Sequence, residues 1–230
     1  MNPTPAERGD ELLEGLRGGL IVSCQAPPHD PLHGPEHMSA MARSVARGDI
    51  AGIRAEGVED LRAIRAAVDL PLIGLWKDGA QGVYITPTAQ HAEAVVETDA
   101  EIVAVDATER PRPDGKDLAE TIALVHRRGR LLMADVSTEA EGLAAVQLGA
   151  DLVSTTLSGY TEHSPPGPQP DVELVAALAA KLDVPVVAEG RLHTPELARA
   201  AMDAGAWAVV VGSAITAPIS ITERFLDALA

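Results

Sequence analysis

Short apolar runs alternate with longer, Ala-rich stretches of helical period along the chain, the pattern of successive βα units around a parallel sheet. Eight runs read as strands: Gly19–Ser23, Gly52–Ala55, Leu72–Trp76, Ile102–Asp106, Leu131–Asp135, Leu152–Thr156, Val184–Ala188 and Ala208–Val211. Each is nearly continuous in Val, Ile, Leu and Ala, as a strand covered on both faces requires. Helices are predicted near Pro35–Arg47, Val58–Val68, Ala89–Thr98, Gly115–Arg127, Thr138–Leu148, Val172–Lys181, Pro195–Ala204 and Ile221–Leu229. The phrases Gly149-Ala150-Asp151 and Gly205-Ala206 supply glycine caps where a helix hands over to the next strand. The expected fold class is therefore α/β, a (β/α)8 TIM barrel, with an extra N-terminal helix over Thr4–Arg17 plugging the barrel's N-terminal face. A doubly wound open sheet is the competitor, but the first βα turn carries no G-x-G-x-x-G fingerprint. No linker or charge block divides residues 1–230, so one barrel domain is expected. The Pro/Gly-rich segments Ala26–Pro35 and Glu162–Pro170 each follow a strand, where longer loops serve a barrel's active site.

Composition narrows the function classes. Asp and Glu number 34 against 18 Lys and Arg, a formal charge of −16, which repels a phosphate backbone over most of the surface and makes nucleic acid a poor partner. A small anionic metabolite is still admissible where a few cationic side chains and backbone N–H groups converge. Cys24 is the only cysteine, so an intrachain disulfide is ruled out, a Cys-based zinc site is disfavoured and a reducing cytoplasm fits. The chain starts polar and acidic through Glu14, and no apolar run reaches the roughly 20 residues needed to span a bilayer, so a soluble protein with no membrane partner is expected. The seven histidines, including His29, His33 and His37 in the first loop, show no metal-ligand spacing, and no metal is expected.

Candidate chemistry emerges from the strand ends. Gln25, Arg54, Lys77, Asp106, Asp135, Ser158, Glu189 with Arg191, and Ser213 fall at or just beyond the eight C-terminal ends. In a barrel all eight ends open on one face, so residues scattered through the chain converge on one mouth. Lys77 follows the apolar run Leu72–Trp76 directly; alone it would be a solvated surface group, but among these neighbours a partly desolvated amine could take a proton from carbon next to a carbonyl or form a Schiff base. Glu189, followed by Gly190 and Arg191, is placed for general acid/base work or for a bracing ion pair with that arginine. Asp135 and Asp106 sit at similar depth on neighbouring strands, Asp135 to orient Lys77 or hold a sugar hydroxyl and Asp106 in a structural part. Gly190, and Gly212 with Ser213, follow strands seven and eight, the usual phosphate cradle of this fold, and Ser158-Gly159 after strand six could add donors.

On these residues the chain resembles the N-acetylmannosamine-6-phosphate 2-epimerases of sialic acid breakdown. The resemblance spans nearly the whole chain and rests on Gly19-Leu-Ile-Val-Ser-Cys-Gln25, Gly52-Ile-Arg-Ala55, Lys77, Val83-Tyr-Ile-Thr-Pro-Thr88, Asp106-Ala-Thr, Met133-Ala-Asp-Val-Ser-Thr138, Thr155-Thr-Leu-Ser-Gly-Tyr-Thr161, Ala188-Glu-Gly-Arg191 and Val211-Gly-Ser-Ala-Ile-Thr216. It implies a cofactor-free isomerase that converts N-acetylmannosamine 6-phosphate to N-acetylglucosamine 6-phosphate by exchanging the proton at C2 of the open-chain sugar. By resemblance Lys77 is the base and Glu189 shares the acid/base work. Gln25, Arg54, Asp135 and Arg191 surround the sugar, while Gly190 and Gly212-Ser213 hold phosphate. The chain departs from the family pattern at Asp78-Gly-Ala-Gln-Gly82, where the family has an Arg and then a Tyr and a Ser, and at Ala217, where it commonly has Arg. Rival readings are another phosphate-binding barrel enzyme, such as an aldolase with Lys77 as Schiff base, and a catalytically silent sugar-phosphate sensor. A homodimer or other small homo-oligomer is expected.

Overall fold

A computed structural model describes residues 5–230. Eight strands follow in chain order: β1 Leu20–Cys24, β2 Gly52–Glu56, β3 Leu72–Leu75, β4 Ile102–Asp106, β5 Leu131–Asp135, β6 Leu152–Ser154, β7 Val186–Glu189 and β8 Ala208–Val211. They pair in parallel in that same order, and β1 closes on β8 through Leu20 opposite Val209, so the sheet is a closed barrel. The helices are α1 Pro5–Leu16, α2 Pro35–Val45, α3 Val58–Arg65, α4 Ala89–Val96, α5 Leu118–Arg127, α6 Glu139–Gln147, α7 Val172–Ala179, α8 Pro195–Asp203, the single turn α9 Ser213–Thr216, and α10 Pro218–Leu229. The predicted (β/α)8 fold is the one observed; of the N-terminal helix, Thr4 lies outside the described residues.

Departures in element boundaries have local causes. β7 begins two residues later than predicted because Pro185 has no N–H for the ladder, although its carbonyl accepts from Val153 at 3.0 Å. β3 ends early because Trp76 and Lys77 leave the parallel sheet: Lys77 forms an antiparallel bridge with Ile85, flanked by Asp78 N–H to Tyr84 O at 3.0 Å and Thr86 N–H to Trp76 O at 2.8 Å. The predicted glycine caps are in place, with Gly149 and Gly205 both at φ 104° after α6 and α8.

Alternation along the strands sorts side chains into two layers. Ile53 and Ala55 of β2, Val103 and Val105 of β4, and Leu132 and Ala134 of β5 face outward into the helical ring. The intervening positions fill the lumen: Ile21, Ile73, Leu75, Ile102, Ala104, Met133, Leu152, Val187, Ala208 and Val210 form a second cluster. α1 seals its N-terminal end, where Leu16 is fully buried with that cluster, Leu12 and Leu13 pack against it, and the Trp207 indole N–H donates to Leu13 O at 2.8 Å. Along the lumen-facing positions of β2, β5 and β7 the apolar filling gives way to Arg54, Glu56, Asp135 and Glu189 at the C-terminal end. α10 is different from the rest: none of its residues is buried, and Ile219, Phe225, Leu226 and Leu229 are exposed. Among the described residues no helix is long and apolar enough to cross a membrane.

Candidate active site

At the C-terminal mouth one cleft is lined by Gln25, Arg54, Lys77, Glu189, Gly190, Arg191, Gly212 and Ser213, eight of the residues singled out from sequence. Strand alternation continues past the ends of the strands to put them there. Arg54 stands above the Gly52 level of β2, and Glu189 stands two residues above the lumen residue Val187. Tyr84, Thr156, Tyr160 and His193, none of them a sequence candidate, also line it, with Ile85, Leu192 and Val210 as apolar wall.

The floor is an ion cluster. The Arg54 guanidinium, 1% exposed, spans the lumen from β2 and grips both oxygens of Asp135, at 3.1 Å to Oδ1 and 2.5 Å to Oδ2. Its Nη1 also lies 3.1 Å from Glu189 Oε2. Asp135 is fully buried beneath the cleft and does not line it; it faces Arg54 and Thr156, not Lys77 as the sequence had suggested. The Thr156 hydroxyl sits 2.9 Å from Asp135 Oδ1 and 3.0 Å from Glu189 Oε2. Burial pushes the Glu189 carboxyl above the usual carboxylate range; the Arg54 and Lys77 charges pull it down, as would a proton given to it by Thr156, and the charge of Asp135 adds to the rise. Thr155 fixes the backbone beneath, accepting from Glu189 N–H at 3.1 Å and donating to Glu189 O at 3.0 Å.

Lys77 occupies a more open position. Its side chain is 39% exposed, so the expected desolvation is only partial. Nζ donates to Gln25 Oε1 at 2.6 Å and lies 3.3 Å from Glu56 Oε2, and Gln25 is itself anchored by its Nε2 donating to Ser23 Oγ at 3.0 Å. Glu56 went unnoticed in the sequence because the second strand was ended at Ala55, one residue short. Its Oε2 is buried and lacks a hydrogen-bond partner, which leaves Lys77 as the charge beside it. The departing segment 78–82 makes the tip of the hairpin that bridges Lys77 to Ile85; Gly79 and Gly82 take φ 85° and 66° there. That hairpin brings Tyr84 into the cleft wall.

Two phosphate candidates lie elsewhere. Ser158 and Gly159 do not line the cleft: the Ser158 hydroxyl donates to Asp171 Oδ2 at 2.6 Å, and the Gly159 N–H donates to Ser164 Oγ at 2.8 Å. Both donors are spent inside the loop that follows β6. Gly159 earns its place by size, since a Cβ there would run into the Arg191 guanidinium. Arg191, at φ 56°, donates to Ser158 O at 2.6 Å and Gln169 O at 2.7 Å and stacks 5.3 Å from the Tyr160 ring centre. That loop is thus clasped rather than free. Asp106 is held by Arg110 at 2.7 Å and by Thr108, away from the cleft, as a structural carboxylate would be. His33 places Nδ1 2.8 Å from Ala26 O and so braces the first loop.

Comparison with known proteins adds the chemistry of relatives. The family model described as "Putative N-acetylmannosamine-6-phosphate epimerase" matches residues 38–230. A protein of Cutibacterium acnes named "Putative N-acetylmannosamine-6-phosphate 2-epimerase" is 50% identical over 223 residues, covering 96% of this chain and 97% of that one. The solved structure of the N-acetylmannosamine-6-phosphate 2-epimerase from Clostridium perfringens superposes with a TM-score of 0.92 at 44% identity, over 94% of this chain and 96% of that one. A thiamine phosphate pyrophosphorylase from Pyrococcus furiosus, at TM-score 0.63 and 18% identity over 95% of this chain and 100% of that one, shares the fold alone.

Proposed function

The chain belongs to the N-acetylmannosamine-6-phosphate epimerase family, and on that premise we propose that it interconverts N-acetylmannosamine 6-phosphate and N-acetylglucosamine 6-phosphate, as an N-acylglucosamine-6-phosphate 2-epimerase. The observation that carries this reading is the meeting of Lys77 and Glu189, from strands on opposite sides of the barrel, in one cleft.

The C2 hydrogen is acidic only when C1 is an aldehyde, so the ring opens first, by a proton leaving the O1 hydroxyl and a proton reaching O5. Glu189 is the group that shuttles it. Lys77, as the amine, then takes the C2 proton; the C–H electron pair becomes the C1–C2 double bond and the carbonyl pair moves onto O1. The positive charge of Arg54 and a hydrogen bond from protonated Glu189 stabilise that oxygen. Once C2 has turned in the site, the Lys77 ammonium returns a proton to its opposite face as the enolate electron pair forms the C2–H bond, which gives the epimer, and ring closure reverses the first step. Gln25 and Arg54 orient the sugar, with Asp135 acting through Arg54. The phosphate rests on the backbone N–H groups around Gly190 and Gly212-Ser213, with Arg191 near.

We read residues 1–230 as one domain, and a phosphorylated sugar as substrate supports a cytoplasmic location. A homodimer or other small homo-oligomer is supported by the apolar residues exposed along α10; light scattering of wild type against Phe225→Ser checks it, and a wild-type monomer refutes it. The function itself is tested by incubating the protein with N-acetylmannosamine 6-phosphate in deuterated water and following the sugar by NMR. The 2-epimer should appear with deuterium at C2; an unchanged sugar phosphate rejects the assignment.

A further inference from the structure

The Thr156 hydroxyl touches more groups than it has protons. Three oxygens lie within hydrogen-bonding distance of it: Asp135 Oδ1 at 2.9 Å, Glu189 Oε2 at 3.0 Å and Ser154 Oγ at 2.9 Å. A hydroxyl donates once and accepts twice. Ser154 is fully buried, and among the described residues Thr156 is the one partner of its side chain, so Ser154 satisfies its own proton by donating to Thr156. Thr156 is left with one proton to give, one lone pair to fill and two carboxyl groups. Were both carboxyls ionised, one of them would face a lone pair at contact distance. The set closes when one carboxyl is protonated and donates to Thr156, while Thr156 donates to the other.

The surroundings decide which carboxyl carries the proton. Asp135 is sealed from solvent and has both oxygens in contact with Arg54, at 3.1 and 2.5 Å, so its negative charge is the better compensated. Glu189 has a single Arg54 contact, at 3.1 Å.

We propose that Thr156 is a positioning residue that assigns the shared proton to Glu189 and keeps Asp135 ionised, so that the acid is loaded before the sugar arrives. The assignment rests on the epimerase reading for its catalytic meaning. The groups that face Glu189 are Arg54 from β2, Lys77 beyond β3, Asp135 from β5 and Thr156 beyond β6; Lys77 acts on it by charge alone, since its own hydrogen bond goes to Gln25. Burial and the charge of Asp135 push Glu189 up in the same sense, and a proton given by Thr156 to an ionised Glu189, which would pull it down, is the alternative that the count of protons around Thr156 disfavours. Before the sugar arrives the Glu189 proton points at Thr156, and it turns to the sugar oxygen when substrate binds, whereas an ionised Asp135 holds Arg54 in place and has no proton to give.

The experiment is an NMR titration of protein labelled with 13C at glutamate side-chain carboxyls, with the Glu189 signal identified by its loss in Glu189→Gln. In wild type that signal should titrate above the ordinary glutamate range, and Thr156→Ser, which keeps the hydroxyl, should match it. In Thr156→Val the acceptor for the acid proton and the donor to Asp135 are both gone, so Glu189 should titrate lower than in wild type. The high-pH limb of the kcat profile should move down with it, kcat should fall about tenfold as for loss of one hydrogen bond, and KM should hold. A Glu189 signal that stays or moves up in Thr156→Val overturns the assignment, because Thr156 would then be a spectator or a donor to an ionised Glu189. If Thr156→Val does not fold, Thr156→Ala is read in the same way, and a wild-type Glu189 titrating in or below the ordinary range overturns the assignment without any variant. Failure of the epimerase reading shows separately, as wild-type protein that exchanges no C2 hydrogen, and leaves the titration as the test of where the proton sits.

Discussion

Glu189 and Lys77 face each other across the mouth of the barrel but are held in opposite ways. Glu189 stands in a buried cluster with Arg54, Asp135 and Thr156, in which each charge has a partner within about hydrogen-bonding distance and the backbone below is pinned by Thr155. Lys77 stands on a hairpin, 39% exposed, with Gln25 and Glu56 as its neighbours. A buried ion network is rigid because moving any member strands the others in a low-dielectric interior. A flexible amine on an open ladder gives up little when it swings. For the proposed reaction the contrast fits a division of labour in which Glu189 as acid is fixed in place, while Lys77 as base reaches for a carbon whose position changes as the ring opens.

Removing either pole should break the contrast most. Lys77→Ala should lower kcat by about three orders of magnitude and abolish deuterium entry at C2, within the range seen for lost general bases; C2 exchange that survives in this variant would take the lysine out of the base role. Glu189→Gln should lose roughly two orders of magnitude on the closed-ring sugar phosphate, read by steady-state kinetics, and undiminished turnover would discard it as the acid. Arg54→Met attacks the rigidity itself: with two carboxyls left beside each other in the interior, unfolding in urea should show a loss of about 3–5 kcal/mol, the scale for one partner removed from a buried pair. A loss near zero would mean the cluster is not a unit. Glu56→Gln sharpens the comparison at the open pole, where replacing one charge beside a partly exposed lysine should cost no more than about tenfold in kcat and leave the melting temperature nearly unchanged; a large stability loss would show that Lys77 is as tightly built in as Glu189.

Much of this was legible from the chain itself. β4, β5 and β8 run over the predicted residues because each is a clean aliphatic run between unambiguous turns, and eight such runs with helices between them leave few folds besides a barrel. The residues of the mouth were legible for the same reason, since strand ends share a face whatever their distance in sequence. What escaped depended on contacts that no local window contains. The Lys77 to Ile85 bridge is made by a segment whose glycines read simply as loop. After strand six the sequence singles out Ser158, whereas counting by twos from Leu152 through Ser154 carries the lumen-facing side to Thr156. Ser158 and Gly159 looked like anion donors, but Asp171 and Ser164, over a dozen and five residues away, take up their protons. Glu56 fell on the wrong side of a boundary drawn one residue early.

Because the working side chains are every second residue of strands whose other residues carry the helical ring, a single-residue insertion or deletion inside a strand would turn a reacting group outward and a valine or alanine inward at one stroke. Changes of length can therefore be absorbed only beyond the strands, and the tip at 78–82 is such a place: it can lengthen or shorten without altering which way Lys77 points, provided that its two legs still pair. The ancestry of this barrel should be recorded as substitutions in its staves and as gaps only at its brim.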